Sequence, residues 1–284
     1  MALALDPRHP AGPQLPMLLQ SEIDKALAAL RGAPEAEAVH AARRHIKKAR
    51  ALSRLLPGEP ADRALRRAGR SLSTTRDAAV RRQVVDALLA DSPPAGATRA
   101  LRRLRKALPD DPASTRPARR PLQAARRALR AARHDSASAS ASAPTVDDDA
   151  LCEAFAATYR RGRRALRRAS ARPDAERLHA LRKAVKHHLY QLRVLTVLWP
   201  TPLTALAAEV DRAAELLGAH HDGELLRAVL PSAGADRRAV ETLLGARQTA
   251  LTEQSLALCR RLYAEPARHW RRRLGAYLRA AASG

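Results

Sequence analysis

The chain has 284 residues, of which 46% are hydrophobic, so it can bury a core and is not a disordered basic tail. Its 52 Lys+Arg against 28 Asp+Glu give a formal net charge of +24, which calls for an anionic partner because that much self-repulsion weakens a compact state unless something neutralises it. Aromatic residues make up only 2%, which counts against a single-stranded nucleic-acid binder built on base stacking and implies a Leu/Ala/Val core of closely packed helices.

The N-terminal stretch MALALDPRHPAGPQLP has no long apolar run after a basic region. No later segment approaches the roughly 18 uninterrupted apolar residues of a membrane span, so neither secretion nor insertion is expected. From there helical periodicity, punctuated by proline and glycine, predicts helices at 16–31, 35–56, 61–73, 76–90, 97–108 and 118–134. The run Asp135-Ser-Ala-Ser-Ala-Ser-Ala-Ser-Ala-Pro144 has little to bury and reads as a flexible linker. Beyond it, helices are predicted at 147–170, 174–198, 202–217, 222–230, 235–262 and 266–282. The expected organisation is an all-α chain with a first helical repeat at 14–134, a linker at 135–146 and a second repeat at 147–282. Cys152 and Cys259 fall in helical patterns far apart in sequence, which fits two small buried thiols in a reducing cytoplasm.

The two halves resemble each other. Val39-His-Ala-Ala-Arg-Arg-His-Ile-Lys-Lys-Ala-Arg50 matches Leu178-His-Ala-Leu-Arg-Lys-Ala-Val-Lys-His-His-Leu189, pairing His40 with His179, Arg43 with Arg182, Arg44 with Lys183 and Lys47 with Lys186. Arg54 pairs with Arg193 in the same register, and downstream Leu72–Val80 parallels Leu217–Leu225, setting Asp77 against Asp222. On a helix, His40, Arg43, Lys47, Arg50 and Arg54 form a narrow cationic stripe opposite Ala42, Ile46, Ala49 and Leu52. His179, Arg182, Lys183, Lys186 and Arg193 repeat it opposite Leu181, Val185 and Leu192. Cations spaced by turns of about 5.4 Å suit a ligand with closely repeated negative charges. A bland reading, a solvated basic face, competes with this one, and the recurrence in both halves weighs against it.

These paired signatures resemble the CHAD domain (conserved histidine α-helical domain). The residues that carry the likeness are Val39-His40 with Arg43, Lys47 and Lys48, and Leu178-His179 with Leu181, Arg182, Lys183, Lys186, Tyr190 and Arg193. Arg76-Asp77 and His221-Asp222 look like the family's second motif. Arg44, where an aliphatic residue is common, and Ser73, where glycine is usual, depart from the pattern. The resemblance implies two similar helical bundles with a pseudo-two-fold relation and binding of inorganic polyphosphate, often at polyphosphate granules. Its site residues would be His40, Arg43, Arg44, Lys47, Lys48, Arg50, Arg54, His179, Arg182, Lys183, Lys186 and Arg193. A β-rich, acidic triphosphatase domain of the CYTH type, sometimes attached to this family, is not expected here.

The ten histidines give no defined metal site by spacing: His187-His188 and His220-His221 are adjacent, and His40 and His45 are not i, i+4. Asp77 and Asp222 read as residues that begin a helix or fix an arginine. No phosphate-cradling glycine loop, zinc-protease motif or nucleophile elbow is present, so neither enzymatic activity nor a cofactor is expected. The runs Arg99–Lys106, Arg126-Arg127 with Arg130 and Arg133, and Arg160–Arg168 are second-rank candidates, at least half of whose side chains are expected never to touch ligand. Alternatives to polyphosphate are the backbone of a nucleic acid and an acidic protein partner.

Overall fold

The computed structural model describes residues 5–6, 9–72, 77–108, 118–142, 146–231 and 233–282. Among them every regular element is helical: α1 (Ala11–Ala29), α2 (Ala36–Ser53), α3 (Asp62–Ser71), α4 (Asp77–Ala90), α5 (Ala95–Ala107), α6 (Arg119–Ser142), α7 (Asp148–Ala171), α8 (Ala175–Leu195), α9 (Pro200–Arg227), α10 (Ala235–Leu262) and α11 (Ala267–Ala282). A short 3-10 turn at Thr196–Leu198 joins α8 to α9. No helix among the described residues is long and apolar enough to cross a membrane.

Local signals explain most boundaries. Asp147 and Asp174 sit just before α7 and α8, where their side chains accept hydrogen bonds from the backbone N–H groups of Ala150 (2.7 Å) and Arg177 (2.9 Å). Pro200 opens α9, a position where the missing N–H costs nothing. Three boundaries differ from expectation by more than a few residues. Helix α1 begins at Ala11, not at 16, and carries Pro16 inside it. The serine/alanine run is not a linker through its first part, because α6 continues to Ser142 and buries Ser136; alanine is the best helix former and here extends a helix already nucleated. Residues 143–145 lie outside the described residues. Further on, the helices expected at 202–217 and 222–230 are one, α9, which runs through Gly218 and Gly223 without a break. Gly223 serves close packing, since a Cβ there would meet Leu244 at 3.2 Å and Gln248 at 3.0 Å.

Alanine and leucine faces bury against each other as the low aromatic content requires. Helices α1, α2, α3 and α6 pack in a ring, α7 packs on α8 and α11, and α9 packs on α8 and α10. One continuous core runs from Leu15 and Ile23 through Ala49, Leu65 and Leu129 to Phe155, Leu189 and Trp270, so it crosses both halves of the chain. Helices α4 and α5 leave their own half and pack on α9 and α10, enclosing a smaller core of Val85, Leu101, Leu226 and Leu244. The packing units therefore interleave the two halves of the sequence. Most aromatic residues gather in one place: Phe155, Tyr159, Tyr263 and Trp270 surround His188, with ring centroids 5.5, 5.6, 5.5 and 6.4 Å from it. Gly162 makes this cluster possible, since a Cβ there would come within 2.4 Å of the Tyr263 ring. Cys152 and Cys259 are free and buried, and burial pushes their thiols up to about 11 and about 12.

Candidate functional site

The apolar faces of α2 and α8 bring these two helices together, and the buried Gln191 locks the crossing by donating its side-chain amide to the Ala51 carbonyl at 2.9 Å. The cationic stripes on the neighbouring faces then meet along a common groove of about 600 Å³. Arg43, Lys47, Arg50 and Arg54 line it from the first stripe, and His179, Arg182, Lys183 and Lys186 from the second. The other four expected residues stand outside the lining. Arg44 is exposed, and Arg193 is exposed and held by Asp211 at 2.6 Å. Lys48 turns toward α1, where its charge acts on Glu22. His40, near the start of α2, also does not reach the groove lining. Arg44 and Lys48 each follow a lining residue by one position, which turns them about 100° around the helix, and Arg193 is drawn to Asp211.

The structure adds residues that the stripes did not include. Arg66 and Arg70 enter from α3, Arg161 from α7, His187 from α8 and His221 from α9. Arg66 and Arg70 are one turn apart, a spacing visible in sequence. They have no cationic counterparts in the second half, because the register that sets Leu72 against Leu217 sets them against Asp211 and Glu215. Arg161 belongs to the run Arg160–Arg168, but its neighbours do other work: Arg160 pairs with Glu153 at 2.7 Å and Arg163 donates to the Tyr263 carbonyl at 3.1 Å. The remaining second-rank runs are also partly structural. Arg103 pairs with Asp236, Arg105 with Asp86, and Arg126 donates to the carbonyls of Leu30 and Gly32. Asp77 is the first residue of α4, with its side chain outside the described residues, while Asp222 lies inside α9 and does not begin a helix.

Ten Lys/Arg and three His line the groove among the described residues, with no Asp or Glu in the lining. The carboxylates sit behind the cations. Asp62, buried at the start of α3, accepts from Arg50 at 2.9 Å and lies 3.1 Å from Arg66 and 3.9 Å from Arg54. Burial opposes its ionisation, but the Arg50 hydrogen bond and the charges of Arg50, Arg54 and Arg66 outweigh burial and hold the carboxyl below its ordinary range. Glu59 lies 2.8 Å from Arg161 and 3.8 Å from Arg54. Both acids are presented by a tight turn in which Gly58, Glu59 and Ala61 have φ of 72°, 47° and 67°. Left-handed backbone at two non-glycine residues stores strain of about 1 kcal/mol or more each. The buried Ser53 hydroxyl fixes the turn by donating to the Pro60 carbonyl. In the second half Asp211 does the equivalent work, 3.4 Å from Lys186 and 2.6 Å from Arg193.

The groove disfavours further positive charge. Burial, then the charges of Arg54 and Arg50, push His187 down to about 3. Burial, then His221, Lys183, Arg182 and Lys47, push His179 down to about 4. The His179 and His221 rings stack with centroids 4.4 Å apart. Burial also lowers Lys186, with Asp211 opposing it. Arg54 Nε and the Nδ1 atoms of His179 and His187 are buried without a hydrogen-bond partner among the described residues. Chemically, the arrangement offers fixed guanidinium and ammonium donors to several oxyanions at once. No group of three His, Cys, Asp or Glu among the described residues is arranged to hold a metal ion.

A family model described as CHAD domain matches residues 9–231. Among solved structures, the crystal structure of the CHAD domain from the plant Ricinus communis aligns with a TM-score of 0.58 at 16% identity, covering 93% of this chain and 95% of that one. No curated protein matches.

Proposed function

Because this chain belongs to the CHAD domain family, we propose that it binds inorganic polyphosphate, without catalysing a reaction, in the groove between α2 and α8, and that this binding brings it to polyphosphate granules. The observation that carries the reading is the ten-cation lining, which among the described residues contains no carboxylate, with Asp62, Glu59 and Asp211 paired to its cations from outside it. Successive phosphates would accept charge-assisted hydrogen bonds from Arg43, Lys47 and Arg50 on one side and from Arg182, Lys183 and Lys186 on the other. Holding one chain between two helices makes the second set of contacts intramolecular, so long chains gain from effective concentration.

Nucleic acid is the rival, and the groove favours polyphosphate over a single strand. Apart from its histidines, its one aromatic lining residue is Tyr190, which is 7% exposed and gives bases no stacking platform. Calorimetry at fixed ionic strength with long polyphosphate, duplex DNA and RNA tests this directly. Polyphosphate should bind most tightly, with affinity falling steeply as salt rises. Lys47→Glu and Lys183→Glu should each weaken it roughly tenfold or more, since each reversal removes a contact and adds repulsion, while a double reversal at Arg99 and Arg102 on α5 should leave it nearly unchanged. Equal binding of all three polyanions, or equal losses in all variants, would reduce the groove to one part of a diffuse positive surface.

A further inference from the structure

Resting on the polyphosphate reading of the groove, we propose that the ligand leaves it over α3 and continues into a second anion-binding trough between α3 and α6, with Arg70 shared by both sites. The trough has a volume of about 500 Å³ and lies against Arg67, Arg70, Ser71 and Arg127. Its floor is the small side chains of Ala124, Ala128 and Ala131 on α6, which leave room where longer residues would fill the space. Arg70 lines this trough and also the groove, so the two are separated only by the width of α3.

Cations lead around that helix. Arg66 and Arg70 border the groove, Arg67 and Arg70 border the trough, and Arg127 answers them from α6. Arg67, Arg70 and Arg127 are exposed. Arg66 is tied to Asp62, but the guanidinium groups of Arg67 and Arg127 form no ion pair among the described residues. In the register that matches Leu72 with Leu217, Arg66 and Arg70 have no cationic counterparts on α9, where Asp211 and Glu215 stand. A chain of phosphates moving over α3 meets arginines. The ligand class follows from continuity: only an anion with charge repeated along its length can occupy groove and trough together, and a short oligophosphate would be held in the groove alone.

Isothermal titration of the full chain with tripolyphosphate and with long-chain polyphosphate tests the path, using Arg67→Glu/Arg127→Glu, Lys47→Glu and Arg99→Glu/Arg102→Glu. Both trough residues are exposed, and circular dichroism confirms each fold. The trough variant should lose roughly tenfold in affinity for the long chain, as expected for two reversed rim charges, and bind tripolyphosphate as the parent does. Lys47→Glu should weaken both ligands, and Arg99→Glu/Arg102→Glu neither. An unchanged long-chain affinity in the trough variant overturns the path, and so does an equal loss for both ligands or an equal loss in the α5 control. If Lys47→Glu behaved as expected in any of these cases, the groove reading would stand while the path fell. A parent chain that bound neither ligand would instead overturn the groove reading itself.

Discussion

Asp62→Asn isolates what the buried carboxylate behind the groove contributes. The side chain is 6% exposed and serves Arg50, which is 21% exposed, Arg54, which is 16% exposed, and the more open Arg66. Asparagine keeps the shape and one acceptor oxygen but removes the charge, leaving the half-buried Arg50 without its counter-ion and Arg54 with Glu59 alone, 3.8 Å away. Breaking a buried pair in this way costs about 3 kcal/mol, most of it from Arg50, since Arg54 keeps Glu59 and an exposed partner such as Arg66 contributes little. The negative charge in the first turn of α3 is lost as well, which adds a few tenths of a kcal/mol. For a chain of this size the sum lowers Tm by roughly 5–6 °C, measurable by thermal scanning with circular dichroism. Added polyphosphate should restore more of the lost stability in the variant than it adds to the parent, because the ligand supplies the missing negative charge. A Tm within about 2 °C of the parent would refute the account of Asp62 as the counter-ion that holds the first stripe.

His188, fully enclosed by aromatic rings and pushed down to about 4 by burial, stays neutral in the fold but protonates near 6.5 when unfolded. Its share of stability is complete above 6.5 and is lost as pH falls toward 4, amounting to about 2 kcal/mol at pH 5, and His188→Phe should flatten that part of the urea-midpoint profile. A parent protein equally stable at pH 7 and pH 5 would contradict this. Gly162→Ala should lower stability by about 3 kcal/mol through collision with the Tyr263 ring, whereas Gly245→Ala in α10, with nothing within 4 Å of the new Cβ, should raise it by roughly 0.5–1 kcal/mol; paired denaturation curves check the opposite signs. Finally, binding polyphosphate at pH 6 should draw protons onto the groove, because an anion beside His179 raises it from about 4 toward its ordinary value. Calorimetry in two buffers of different ionisation enthalpy reads the uptake, and His179→Gln should reduce it.

The features legible in the sequence were those that repeat or that obey local rules. The cationic stripes of α2 and α8 could be read because each keeps one helix face polar and the other apolar, and the caps at Asp147 and Asp174 mark their own helix starts. What could not be read depended on packing. Gly218 and Gly223 carry the composition of a helix break, yet α9 runs through both, and Gly223 is small because Leu244 and Gln248 occupy the space beside it. Arg66 and Arg70 could be placed on one face, but nothing local says that α3 turns that face to the groove; that follows from the left-handed turn at 58–61 and the Asp62 anchor. Lys48 and Arg44 flank the stripe in sequence, and a rotation of one residue on the helix was enough to send Lys48 toward Glu22 and leave Arg44 in solvent.

The charge arrangement explains how a chain with a net charge of +24 can fold around its own cationic site. Cations that point into a half-buried groove repel one another more strongly than they would in water, so the fold needs compensation that does not cancel the outward field. It has two kinds. Asp62, Glu59 and Asp211 sit on the protein side of the arginines and lysines, where they offset the repulsion locally while leaving the groove side positive. Between the cations stand His179 and His187, held neutral by burial and by those same charges, so they separate the positive groups without adding to them. A protein that only needed a soluble basic surface would have no reason to place carboxylates behind the cations and neutral imidazoles between them. The arrangement is suited to a site whose final neutralisation is left to an anion from outside, and it predicts the greater ligand-induced gain in stability expected of the Asp62→Asn variant.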